Sequence, residues 1–191
     1  MKSEFTDDIR NALKILRAGG VILYPTDTIW GLGCDATNAE AVSKIYDIKQ
    51  RASNKSLIVL VNSADMLTRY VDHPPEVALQ IAELSDTPLT IVYDRGRSLA
   101  GGVASDDGSV GVRICNDPFC DELITALRKP LVSTSANISG DITPARFDEI
   151  SGEVKASVDY ICLWRQDDRS RAKASSVIRV SGNGVVKILR G

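Results

Sequence analysis

Apolar residues fall along this chain in two alternating rhythms. Short runs closed by Gly, Pro or hydroxyl residues mark strands, and spacings of three and four mark helices. A first helix is predicted over about 7–18, with Ile9, Leu13 and Leu16 on its apolar face, Thr6 as its cap and Gly19-Gly20 as its stop. Residues 21–24, Val-Ile-Leu-Tyr, read as a buried strand broken by Pro25. The next eight residues, Thr26-Asp27-Thr28-Ile29-Trp30-Gly31-Leu32-Gly33, are rich in hydroxyls and glycine. A helix over about 38–49 carries Val42, Ile45, Tyr46 and Lys49 at helical spacing. A strand follows at 57–61, helices at about 64–70 and 76–84, and a strand at 89–93. Residues 94–108 form a long Gly-rich loop of the kind that more often serves a function than not. A strand at 109–114 leads to Asp117-Pro118, which opens a helix to about 128 with a cap, a first-position proline and acids in the first turn.

That helix delivers the chain to Pro130-Leu131-Val132-Ser133-Thr134-Ser135-Ala136-Asn137-Ile138-Ser139-Gly140. Leu131-Val132 reads as a strand buried on both faces that stops at the hydroxyls. Successive hydroxyls and N–H groups there can converge on an anion, and the end of a buried strand is where open α/β sheets bind ligands. An ordinary Ser/Asn/Gly turn is the plain alternative. Thr143-Pro144 is expected to open a short helix, 158–163 a strand, and 165–173 a charged loop. The chain closes in a hairpin, 177–180 and 185–189, joined by Ser181-Gly182-Asn183-Gly184. Alternation of strands and helices with no internal repeat predicts one α/β domain over 1–191: a twisted, mixed open sheet with flanking helices.

Composition narrows the function more than the fold. The 191 residues carry a formal net charge of −2 and no polybasic run. No apolar stretch approaches the roughly 18 residues of a membrane span, and Met1-Lys2-Ser3-Glu4-Phe5 lacks the apolar core of a secretion signal, so a cytoplasmic location is expected. Cys34, Cys115, Cys120 and Cys162 are scattered, with no zinc spacing. His73 is the only histidine and lies in Asp72-His73-Pro74-Pro75, an exposed loop. Histidine-based nucleophilic chemistry is therefore not expected.

Gly31-Leu32-Gly33-Cys34-Asp35-Ala36 has the dinucleotide spacing, but six residues separate it from the preceding strand and no acid ends the next one. Lys49-Gln50-Arg51-Ala52-Ser53-Asn54-Lys55 puts three cations at a helix C-terminus and the loop after it. They complement the helix dipole, or they clamp a polyphosphate. In the second case replacing Lys49 or Arg51 should abolish activity and spare the fold. Arg113 follows Val110-Gly111-Val112 in an apolar strand, where a buried guanidinium needs a partner and suits a carboxylate or phosphate. Arg165, Arg169, Arg171 and Lys173 flank Asp167-Asp168 in a run that reads as solvated surface.

Together, the segments Tyr24-Pro25-Thr26-Asp27-Thr28-Ile29-Trp30-Gly31-Leu32-Gly33, Lys49-Gln50-Arg51, Val110-Gly111-Val112-Arg113 and Ser133-Thr134-Ser135-Ala136-Asn137-Ile138-Ser139-Gly140 resemble the threonylcarbamoyl-AMP synthases built on the YrdC-like domain. The resemblance runs from about Gly19 to the C-terminus. It implies a large, concave, electropositive cleft and condensation of L-threonine, bicarbonate and ATP to threonylcarbamoyl-AMP and pyrophosphate. Other proteins then transfer the threonylcarbamoyl group to tRNA. Lys49 and Arg51, the cations of the proposed phosphate clamp, are the catalytic candidates. By the same resemblance Thr26, Arg113 and Ser175 hold threonine, with Arg113 at its carboxylate. Lys49, Ser53, Ser133, Ser135, Asn137, Thr143 and Arg190 hold ATP. Mg²⁺ is expected to enter with ATP, and no metal site of the protein's own is expected. The sequence departs from the family's pattern at Ala52, Ser56, Asp86-Thr87-Pro88 and Ser176.

Two other readings use the same residues. One is an adenylating enzyme that consumes carbamoyl phosphate. The other is an RNA-binding module that lays a tRNA or double-stranded RNA backbone in the cleft without chemistry. The near-neutral charge argues against the second.

Overall fold

The structure is a computed structural model that describes residues 4–50 and 57–191. Among the described residues, nine strands make one mixed sheet: β1 (Ile22–Tyr24), β2 (Gly31–Asp35), β3 (Ile58–Val61), β4 (Leu89–Tyr93), β5 (Val110–Ile114), β6 (Leu131–Ser135), β7 (Tyr160–Ile161), β8 (Ser176–Val180) and β9 (Val186–Arg190). Their spatial order is β7-β1-β2-β6-β3-β5-β4-β8-β9. Pairs β1/β7, β3/β5 and β4/β8 are parallel, and the other neighbours are antiparallel. The helices are α1 (Thr6–Arg17), α2 (Ala39–Lys49), α3 (Ala64–Tyr70), α4 (Glu76–Leu84), α5 (Pro118–Leu127) and α6 (Gly152–Ala156). Helix α1 packs on α5 and on β1, β2 and β7. Helices α3 and α4 lie by β3, β4 and β5. The expected mixed α/β sheet with flanking helices is what forms.

Local chemistry explains the helix starts. The Asn38 side chain accepts from the Ala41 N–H, and Asp117 accepts from Phe119 and Cys120, with Pro118 at the first helical position. Gly19, at φ +75°, closes α1 in the left-handed region. That helix begins at Thr6 itself, so Phe5 takes the place expected of Thr6.

Three expectations are corrected. Gly31-Leu32-Gly33, which the sequence pattern assigns to no strand, opens β2, a fully buried strand between β1 and β6. Glycine is tolerated there because the Tyr24 ring occupies the space: a Cβ on Gly33 would stand 2.5 Å from Tyr24 Cε1 and 3.0 Å from the Val132 carbonyl. Strand β6 does not stop at the hydroxyls but runs through them, because Ser133 and Ser135 pair with Gly33 and Gly31. Thr143-Pro144 opens no helix. The Ala145 N–H is held by the Glu149 side chain and its carbonyl by the Ala172 N–H, and a 3-10 turn forms only at Phe147–Glu149.

Candidate active site

The unusual residues of β2 and β6 shape one cavity. Gly31, paired with Ser135, lines it without a side chain, whereas the space at Gly33 is taken by the Tyr24 ring. The cavity, about 270 Å³, has three walls: Thr28, Trp30 and Gly31; Ser133, Thr134 and Ser135; and Ser175 with Arg190. Arg113 and Thr143 also face it. Residues far apart in sequence therefore meet at one place, as open α/β sheets arrange their ligand sites. A second cavity of about 310 Å³ shares Thr28 and Trp30 with the first and is lined by Thr26, Arg146 and Arg165.

Arg113 is the most constrained cation here. It is 4% exposed, and its Nη1 donates to Asp27 Oδ1 at 2.6 Å and to Thr28 Oγ1 at 3.0 Å. Its Nε is buried without a hydrogen bond among the described residues. A buried donor left unmet is costly, so an acceptor from a ligand would be favoured. Burial pushes the Asp27 carboxyl above the usual carboxylate range, and the Arg113 guanidinium pulls it partway back. Thr26 turns its hydroxyl to the Ile29 carbonyl and to Thr28 Oγ1, which fixes the turn that presents Asp27 and Thr28.

Lys49 is buried rather than displayed to solvent. Its Nζ donates to the carbonyls of Ser135 at 2.6 Å and Asn137 at 2.7 Å, with Asn137 Oδ1 at 3.2 Å. Ser135 Oγ meets Asn137 Oδ1 at 2.6 Å. Lys49 and Asn137 thus shape the turn after β6 from behind the cavity wall. On the far wall Arg190 donates from Nε and Nη2 to the Ser175 carbonyl at 3.0 and 2.8 Å. The Ser175 and Thr90 hydroxyls are 2.8 Å apart. The loop ahead of Ser175 is largely exposed, as its charge run predicts; Arg165–Asp117 at 2.6 Å anchors its start, and Arg169–Asp148 at 2.5 Å and Arg171–Glu149 at 3.2 Å are surface pairs.

The structure thus brings Arg113, Ser133, Ser135, Thr143, Ser175 and Arg190 onto one cavity. It puts Thr26 on the adjoining one. Arg51 and Ser53, with the departures at Ala52 and Ser56, lie outside the described residues. Asp27 and Thr28 escaped the site prediction. Their signal was present, a lone acid between two hydroxyls just past a buried strand, but its partner stands 86 residues further along the chain. Among the described residues no three His, Cys, Asp or Glu side chains converge as a metal cage.

These features define a mixed α/β protein with a hydroxyl- and arginine-lined cavity suited to anionic ligands. The chain belongs to the Sua5/YciO/YrdC family, whose model, described as "Telomere recombination", matches residues 14–191. It is similar to proteins named threonylcarbamoyl-AMP synthase. The one from Pseudoalteromonas translucida is 34% identical over 96% of this chain and 97% of its own length. The one from Vibrio parahaemolyticus is 35% identical over 90% of this chain and 93% of its own. Among solved structures, P. abyssi Sua5 complexed with L-threonine superposes with a TM-score of 0.79 at 26% identity. That match covers 90% of this chain and 50% of the P. abyssi chain, so this chain spans about half of that protein.

Proposed function

We propose that the protein is a threonylcarbamoyl-AMP synthase, an enzyme that condenses L-threonine, bicarbonate and ATP and supplies the product to tRNA-modifying partner proteins. The observation that carries this reading is one shared cavity, lined by a buried arginine with an unmet donor together with Ser133, Ser135 and Ser175. The names of the relatives point the same way, as does the threonine complex of P. abyssi Sua5.

The chemistry suits such a site. The threonine amine adds to the bicarbonate carbon, and loss of water leaves a carbamate. A carbamate oxygen then bonds to the α-phosphorus of ATP, and the bond to the bridging oxygen breaks to release pyrophosphate. No histidine is needed. Alignment of two anions and neutralisation of the charge that develops are needed. Arg113 would take the threonine carboxylate, a role that suits its planar fork. Arg190 with the Ser133, Ser135 and Thr143 hydroxyls would face the nucleotide. ATP would enter as its Mg²⁺ complex, the ion riding on the triphosphate. We place the enzyme in the cytoplasm: no helix of the described residues is long and apolar enough to cross a membrane, and all four cysteines are free.

Pyrophosphate release tests the reading. Purified protein with MgATP should release it only when threonine and bicarbonate are both present. Release that ignores threonine but needs carbamoyl phosphate would favour the other adenylating chemistry. No release together with tight binding of tRNA would favour the RNA-binding module.

A further inference from the structure

The structure assigns a role to two residues that hold Arg113: we propose that Asp27, behind the cavity, and Thr28, on its wall, are positioning residues that keep the Nε–Nη2 edge of Arg113 for a substrate carboxylate. The inference rests on the reading that this cavity takes threonine. A guanidinium offers two forked edges to a carboxylate, one at its end (Nη1 and Nη2) and one at its side (Nε and Nη2). The Asp27 Oδ1 and Thr28 Oγ1 atoms both sit on Nη1, at 2.6 and 3.0 Å, which takes up the end-on fork. The side-on fork is left, and its Nε is buried without a partner among the described residues. Asp27 does not line the cavity that holds Arg113. It lines the two neighbouring ones instead, so it acts through the arginine and not on a ligand in that cavity.

The turn that carries Asp27 is itself rigid. The Thr26 hydroxyl accepts from the Thr28 N–H at 3.0 Å and donates to the Ile29 carbonyl at 2.9 Å. Arg165, anchored on Asp117, reaches the Thr26 carbonyl at 3.4 Å. The pair also compensates a charge that would otherwise be buried alone on β5. A carboxylate that meets a fixed side-on fork is gripped at two points in one orientation, and its α-amine is thereby aimed as well. Neither feature is needed to bind a ligand that lacks a carboxylate.

The test compares binding of L-threonine and L-threoninol, the same molecule with the carboxylate reduced to an alcohol, by calorimetry on the full chain. Three variants are used: Asp27→Asn, Thr28→Val and Asp27→Ala. The last uncovers a buried charge and is checked by thermal unfolding first. Asp27→Ala should weaken threonine binding about tenfold or more, the worth of one charge-assisted hydrogen bond, and leave threoninol unchanged. Asp27→Asn keeps an acceptor for Nη1 and should recover part of the loss. Thr28→Val should show a smaller loss of the same kind, which keeps the test open if Asp27→Ala does not fold. In turnover the threonine KM should rise while the ATP KM stays put. Equal losses for threonine and threoninol, or threonine affinity unchanged in folded Asp27→Asn and Thr28→Val, would overturn the positioning role. A wild-type chain that releases no pyrophosphate but shows the threonine-selective losses would sink the synthase reading and leave the positioning role standing.

Discussion

Gly33 is fixed in identity by an atom on another strand. Its missing Cβ would collide with Tyr24 Cε1 at 2.5 Å, and Tyr24 is itself fully buried. Gly33→Ala should therefore cost about 1–3 kcal/mol through overpacking, visible as a midpoint several degrees lower in thermal unfolding. Gly101→Ala, where no atom lies within 4 Å of the added carbon, should leave the midpoint unmoved. Equal midpoints for the two variants would remove the steric account of β2. The stretch does not show itself as a strand from sequence, because glycine is poor in strands and the ring that leaves no room for a side chain lies seven residues or more away. Arg113 was legible as a buried cation in need of a partner, since an arginine in an apolar strand is conspicuous. Asp27 was not legible as that partner, because pairing across 86 residues depends on how β5 and the turn after β1 come together.

Elements whose ends carry their own chemistry were read well from sequence. The cap at Asp117, the bounds of α3 and α4, and the closing hairpin of β8 and β9 all rest on residues local to them. The ends of β6 and the segment after it were not, since tertiary contacts set them. Lys49, the last residue of α2, reaches the end of β6 and donates to the Ser135 and Asn137 carbonyls. It joins two elements that share no strand pairing. An expectation that Lys49 can be removed without touching the fold assumes an exposed clamp, and at 3% exposure the residue is not one. Lys49→Met keeps the apolar stem and leaves those carbonyls short of a donor, so stability should fall by about 1–3 kcal/mol. Urea unfolding checks this, beside calorimetry with MgATP. Full stability with weakened nucleotide binding would return Lys49 to a purely phosphate-facing role.

At the scale of the molecule, the cavity exists only when the sheet does. Its wall draws on the turn after β1, on β2, β5 and β6, on the loop before β8, and on the end of β9, so no local unit of the chain contains the site. Ligands that fill it should bind the folded state alone and raise its stability by mass action. At a ligand concentration of 100 times Kd the gain is about 2.7 kcal/mol, which for a chain of this size corresponds to a midpoint higher by about 5–10 °C. MgATP and threonine should each give such a rise, and both together a larger one. Arg113→Lys separates their contributions. Lysine keeps the positive charge near Asp27 but loses the planar fork, so the increment from threonine should shrink or vanish while that from MgATP persists. An undiminished threonine increment in a folded Arg113→Lys protein would show that the carboxylate is held elsewhere, and loss of both increments together would mark Arg113 as a strut of the sheet.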